Sequence, residues 1–133
     1  MSRIVNSGRL LAAGLFLGAD LLWHAVAKIP EVLREHPQQV RYYFISDAVL
    51  WIPELLCAWG LFRWRRWGRT LGLVLSAMYV FSGGLSLVIS LVRPSGFGLA
   101  MYFAVLTLIA GYVFTWLLLP AVRVEYSRRD QIA

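Results

Sequence analysis

Asp20 and His24 stand four residues apart inside an otherwise apolar run. That spacing places both on one face of a helix. In a second apolar run, Asp47 and Glu54 stand seven apart and again share a face. An acid beside an imidazole can hold and pass a proton. Three carboxylates and one imidazole can ligate a divalent cation. The plainest role is a buried polar clasp that fixes which helix faces meet, because ionisable groups at membrane depth pair with one another or face a protein interior.

Depth decides which groups can meet. With the first helix counted from Leu10 and the second counted back from Phe62, Asp20 lies about 15 Å and Glu54 about 12 Å from the same membrane side, at about 1.5 Å per residue. His24 and Asp47 lie at about 21 Å and about 22 Å by the same rise. An antiparallel hairpin therefore sets Asp20 level with Glu54 and His24 level with Asp47. His24 with Asp47 suits a charge-assisted hydrogen bond. Two acids side by side in low dielectric share a proton more readily than both ionise. Pro53 has no amide hydrogen, so it frees the carbonyl of Val49 and marks a kink beside Glu54. The set matches no metal-ligand motif. His24 is the one imidazole within an apolar run and His36 falls in a loop, so neither metal nor cofactor is expected.

These residues need membrane helices to position them. The 133-residue chain is 59% hydrophobic and 15% charged. A soluble domain runs at about half apolar and a quarter charged. The excess falls in four runs, at 10–27, 42–62, 70–92 and 97–119. Each is long enough to cross about 30 Å of hydrocarbon as a helix. Helices are required, since lipid satisfies no backbone hydrogen bond. The expected fold is therefore all-α: one domain, 1–133, forming an integral membrane bundle of four transmembrane helices. Residues 29–41 suit a short interfacial helix started by Pro30. The segment after Pro120 reads as a polar, frayed tail.

Charge sets the orientation. Arg3, Arg9, Arg63, Arg65, Arg66, Arg69, Arg123, Arg128 and Arg129 fall on one side of this scheme, nine of thirteen basic residues. Lys28, Arg34, Arg41 and Arg93 fall on the other. The excess of basic residues in cytoplasmic loops then gives both termini inside, in a bacterial-type cytoplasmic cell membrane. Arg63, Trp64, Arg65, Arg66, Trp67 and Arg69 make a basic, aromatic turn suited to anchoring at the interface. Arg3 and Arg9 ahead of an apolar run ending Ala25-Val26-Ala27 also imitate a signal peptide. Asp20 and His24 inside that run argue against cleavage there.

Helices in lipid associate by close packing and hydrogen bonds. Gly14 and Gly18 on the first helix, Ser76, Gly83 and Ser86 on the third, and Gly111 on the fourth supply small faces at helical spacing. They are expected to pack helices together, and Gly14 with Gly18 also to offer a homo-oligomer interface. The partners expected are the lipid bilayer and either a homo-oligomer or a larger membrane complex. The pI of about 10.1 belongs to loops that meet anionic lipid, so nucleic acid is not expected. Cys57 is the only cysteine, so it forms no intramolecular disulfide and no CxxC redox centre. There is no phosphate-binding loop, nucleophile elbow or zinc signature. The first expectation is a non-catalytic interaction or accessory subunit. The second is a small oligomeric proton- or cation-coupled transporter or channel built on Asp20, His24, Asp47 and Glu54.

Overall fold

The computed structural model describes residues 2–23, 28–93 and 97–132; the side chains of residues 2, 4, 20, 21, 23 and 50 lie outside this description. Every element among the described residues is helical. α1 is Ser2–Trp23, α2 is Ile29–Glu35, α3 is Val40–Phe62, α4 is Arg66–Val92, α5 is Phe97–Leu118 and α6 is Pro120–Ile132. A single 3₁₀ turn, Pro37–Gln39, joins α2 to α3. Among the described residues three helices are long and apolar enough to cross a membrane: α3 with the turn before it, α4 and α5. Polar Asn6, Arg9 and Asp20 dilute α1, and the last four residues of the expected first span lie outside the described residues.

Side-chain contacts at both ends give the directions. Gly8 lies under the Trp116 indole and the Ala19 carbonyl accepts from Tyr102, so α1 and α5 run antiparallel. Gly72 meets Leu117 and Gly83 meets Thr107, so α4 and α5 do too. Gly60 touches Gly68 and Glu54 meets Tyr79 further along, so α3 and α4 form an antiparallel hairpin. α1, α3, α4 and α5 follow one another in a ring of neighbours, each packed on two others.

Glycine makes the closest approaches possible. A Cβ on Gly68 would sit 2.4 Å from the Gly60 carbonyl carbon, and one on Gly83 would sit 2.6 Å from Thr107 Oγ1. At Gly68 the two backbones touch where only hydrogen occupies the side-chain position, and at Gly83 the Thr107 side chain closes on the backbone. Gly14, Gly18 and Gly111 differ: a Cβ at any of them would meet nothing within 4 Å. Those faces point away from the packed helices. The serine and threonine hydroxyls mostly turn back along their own helices. Ser76 Oγ bonds the Gly72 carbonyl at 2.7 Å, Ser90 that of Ser86 at 2.7 Å and Thr107 that of Phe103 at 2.7 Å. Back-bonding satisfies a hydroxyl in an apolar setting without a partner helix.

The segment after Pro120 is an ordered helix rather than a frayed tail. Pro120 occupies its first position, where a missing amide hydrogen costs nothing. Val122 and Tyr126, four apart, are fully buried on one face. Glu125 pairs with Arg128 and Arg129 along the same helix. The expected frayed tail overlooked that apolar pair within a basic segment.

Candidate functional site

Glu54 is the one buried carboxylic acid among the described residues, 8% exposed. α3 carries it through Pro53 without a break. Its Oε1 accepts a short hydrogen bond from the Tyr79 hydroxyl on α4. The Tyr79 ring in turn lies 6.1 Å from that of Phe16 on α1. The acid thus ties α3 to α4, and the phenol ring it holds packs beside α1. Cys57, one turn along α3, is fully buried, and its Sγ lies 3.7 Å from the Gly68 carbonyl oxygen. Chemically, the Glu54–Tyr79 pair can hold one proton in a low-dielectric setting and can orient two helices.

The rest of the expected cluster is placed only in part. Asp20 belongs to α1 by backbone, but its side chain, and the whole of His24, lie outside the described residues. Tyr102 Oη donates to the Ala19 carbonyl at 3.1 Å, next to the peptide bond that leads to Asp20. Asp47 lies two turns from Glu54 and lines a small pocket under α2 with Lys28, Val32 and Trp51. Among the described residues no three His, Cys, Asp or Glu side chains converge.

Tyr79, the hydrogen-bond partner of Glu54, is not among the residues singled out from the sequence. The depth count applied to the α3–α4 hairpin finds it. Glu54 stands eight residues before Phe62 and Tyr79 nine after Thr70, about 12 Å and about 13 Å from the same end.

The second built region is the arginine-rich end. α3 closes on a turn in which the Arg65 amide bonds the Gly60 carbonyl at 2.9 Å and the Trp64 amide that of Leu61 at 3.3 Å. This helix-ending geometry requires a left-handed residue, usually glycine. Here it is Trp64, with φ 58°. A non-glycine residue there costs about 1–2 kcal/mol. The indole offsets that cost by burial. It is 8% exposed, with the guanidinium carbons of Arg9 and Arg129 at 4.7 and 4.4 Å and the Tyr126 ring at 4.9 Å. Trp64 is therefore a core residue rather than an anchor reaching into the interface. Trp67, 43% exposed against Trp59, keeps the outward position.

The arginines divide by partner. Arg65 and Arg66 reach Asp130 at 3.4 and 3.8 Å. Arg69 Nε donates to the Leu117 carbonyl at 2.9 Å and caps α5. Arg9 donates to the Phe62 carbonyl at 3.3 Å. Arg63 lies over the Trp59 ring at 5.7 Å. Tyr126 Oη donates to the Leu61 carbonyl at 3.1 Å, and burial pushes its phenol above its ordinary value. Hydrogen bonds from Arg128 and then Arg129 hold the Glu125 carboxyl below its ordinary value. These contacts bring the start of α1, the α3–α4 turn and α6 to one end. No protein-family model, curated protein or solved structure matches the chain.

Proposed function

We propose that this chain is a multi-pass cell-membrane protein acting as a non-catalytic interaction or accessory subunit. In this reading α1 joins the three apolar helices as a fourth span, and both termini lie on the cytoplasmic side. The gathering of nine arginines at one end supports that orientation. The clasp between Glu54 and Tyr79 gives the buried acid a structural task.

One observation carries the interaction role. Between α1 and α5 runs an open groove of about 770 Å³, lined by Gly14, Gly18, Ala19 and Gly98 among larger apolar residues. Small residues at helical spacing let a further helix approach closely in lipid. The occupant is a transmembrane helix, from a second copy or from another membrane protein. The double substitution Gly14→Leu with Gly18→Leu adds bulk to the groove from two positions where a Cβ meets nothing within 4 Å. It should leave helicity and thermal stability intact and shift the complex, read by blue-native electrophoresis of membranes, to lower mass. Unchanged mass with intact folding would sink this role.

A second reading has its own support, the burial of Glu54 beside Pro53 with a phenol as proton-sharing partner. Proton or cation transport through Asp20, His24, Asp47 and Glu54 needs a titrating group. Glu54→Gln keeps an acceptor for Tyr79 and removes the titration. Proton flux into liposomes that the wild type supports and Glu54→Gln abolishes would make transport the function.

A further inference from the structure

We infer that the groove between α1 and α3 is a binding site for one anionic phospholipid, with an acyl chain along Leu17, Leu55 and Ala58 and the phosphate on Arg63. The groove measures about 450 Å³ and has Trp59, Phe62 and Arg63 at its arginine-rich end. Its walls are apolar from Leu17 to Phe62, so a hydrocarbon chain fills it without stranding a polar group. Its mouth carries the charge. The Arg63 guanidinium lies over the Trp59 ring at 5.7 Å, which holds it at the rim, and the residue is exposed. Among the described residues no carboxylate pairs with Arg63, although Asp130 and Glu125 engage four neighbouring arginines. Arg9, over the ring of the lining residue Phe62 at 5.1 Å, adds a second positive charge near the groove.

Charge at this end is far from balanced. Its nine arginines face only Glu125 and Asp130. Anionic lipid supplies the missing counter-charge, and a planar guanidinium matches phosphate oxygens with two parallel bonds. A free phosphate shares the headgroup chemistry but leaves the groove empty. The site therefore predicts that the chain and the headgroup are both needed. This inference rests on the membrane reading above, and the test separates the two.

The test is native mass spectrometry of protein released from nanodiscs of mixed phosphatidylglycerol and phosphatidylcholine. The wild type should retain one phosphatidylglycerol in several-fold preference to phosphatidylcholine. Arg63→Gln should abolish the preference. Arg123→Gln removes the same charge from α6 and should keep it. Leu17→Trp, which narrows the groove from an exposed wall, should weaken it. Equal retention of both lipids, or equal loss in the two arginine variants, overturns the site in favour of general charge attraction. Inorganic phosphate displacing the retained lipid at millimolar concentration overturns the role of the acyl chain. A protein that carbonate extracts from membranes refutes the membrane reading itself, whereas a membrane-embedded protein without lipid preference refutes this site alone.

Discussion

At the arginine-rich end, Leu61, Leu117, Val122 and Tyr126 are fully buried; at the opposite end, Tyr42, Leu91, Val92 and Phe97 are 72–82% exposed. Both ends carry large apolar residues. In water the exposed end would be heavily penalised, but lipid is as apolar as leucine and exerts no such pressure. What separates the ends is what lipid cannot replace. The packed end has glycine-to-glycine backbone contact, a phenol bonded to a helix-terminal carbonyl and an indole between two guanidiniums. In a membrane, then, hydrophobicity places a helix, while small residues and polar bonds decide where helices close on one another.

The strongest way to break that contrast is to empty the packed end. Tyr126→Ala removes a fully buried ring and its bond to Leu61, and should cost about 3–5 kcal/mol. Tyr126→Phe keeps the ring and should cost about 1 kcal/mol. Phe97→Ala at the open end removes a ring of similar size and should stay within about 0.5 kcal/mol. Unfolding in mixed detergent and SDS, followed by far-UV circular dichroism, ranks the three. Equal losses for Tyr126→Ala and Phe97→Ala would end the distinction.

A matched pair of smaller changes sharpens it. Gly68→Ala forces a methyl to within 2.4 Å of Gly60 backbone, and neither backbone can yield cheaply. A loss of about 1–3 kcal/mol is expected. Gly14→Ala adds the same methyl where nothing lies within 4 Å. It should gain up to about 1 kcal/mol, because alanine is the better helix former. The same chemistry with opposite signs, read on the same SDS titration, tests whether the glycines belong to different surfaces.

The middle of the molecule belongs to neither end, and the Glu54–Tyr79 clasp should answer differently to its two halves. Tyr79→Phe leaves the buried carboxyl without its phenol donor and should cost about 1–3 kcal/mol. Glu54→Gln retains an acceptor and should cost less than about 1 kcal/mol. A larger loss for Glu54→Gln would mean the charge, rather than the bond, holds α3 to α4.

Helix positions were legible because apolar runs of membrane length have one backbone solution. α3, α4 and α5 start within a few residues of the expected spans, and α2 begins around Pro30 as expected. Glu54 was legible as a buried acid because its type conflicts with its surroundings. Its partner was not singled out, because Tyr79 fits a helix face equally well by packing or by bonding. Trp64 was misplaced for a related reason. A tryptophan between arginines has the composition of an interfacial anchor, and only the left-handed turn directs it inward. α6 was hidden by its charge: two buried residues in a basic segment are too few for a periodic signal.

The smallest effect concerns how α6 stays on the packed end. Glu125 accepts from Arg128 and Arg129, and these bonds hold its carboxyl below the ordinary value of 4.5. A carboxyl lowered in the folded state adds stability above the unfolded value, and that stability is lost as pH falls below about 4.5 through the lowered folded value. The pairs are at the surface, so the contribution should stay under about 1 kcal/mol. Asp130 also ties α6 to Arg65 and Arg66, so the measurement belongs in an Asp130→Asn background where that tie is absent. A spin label on Ile132→Cys, at the exposed end of α6, reports its mobility while buried Cys57 stays unlabelled. Mobility should rise as the pH drops below about 4.5, and Glu125→Gln should flatten that rise. If the label stays immobile to pH 3 in both, Val122 and Tyr126 alone hold the helix. The packed end would then owe its cohesion to burial, with its surface charges left free to meet lipid.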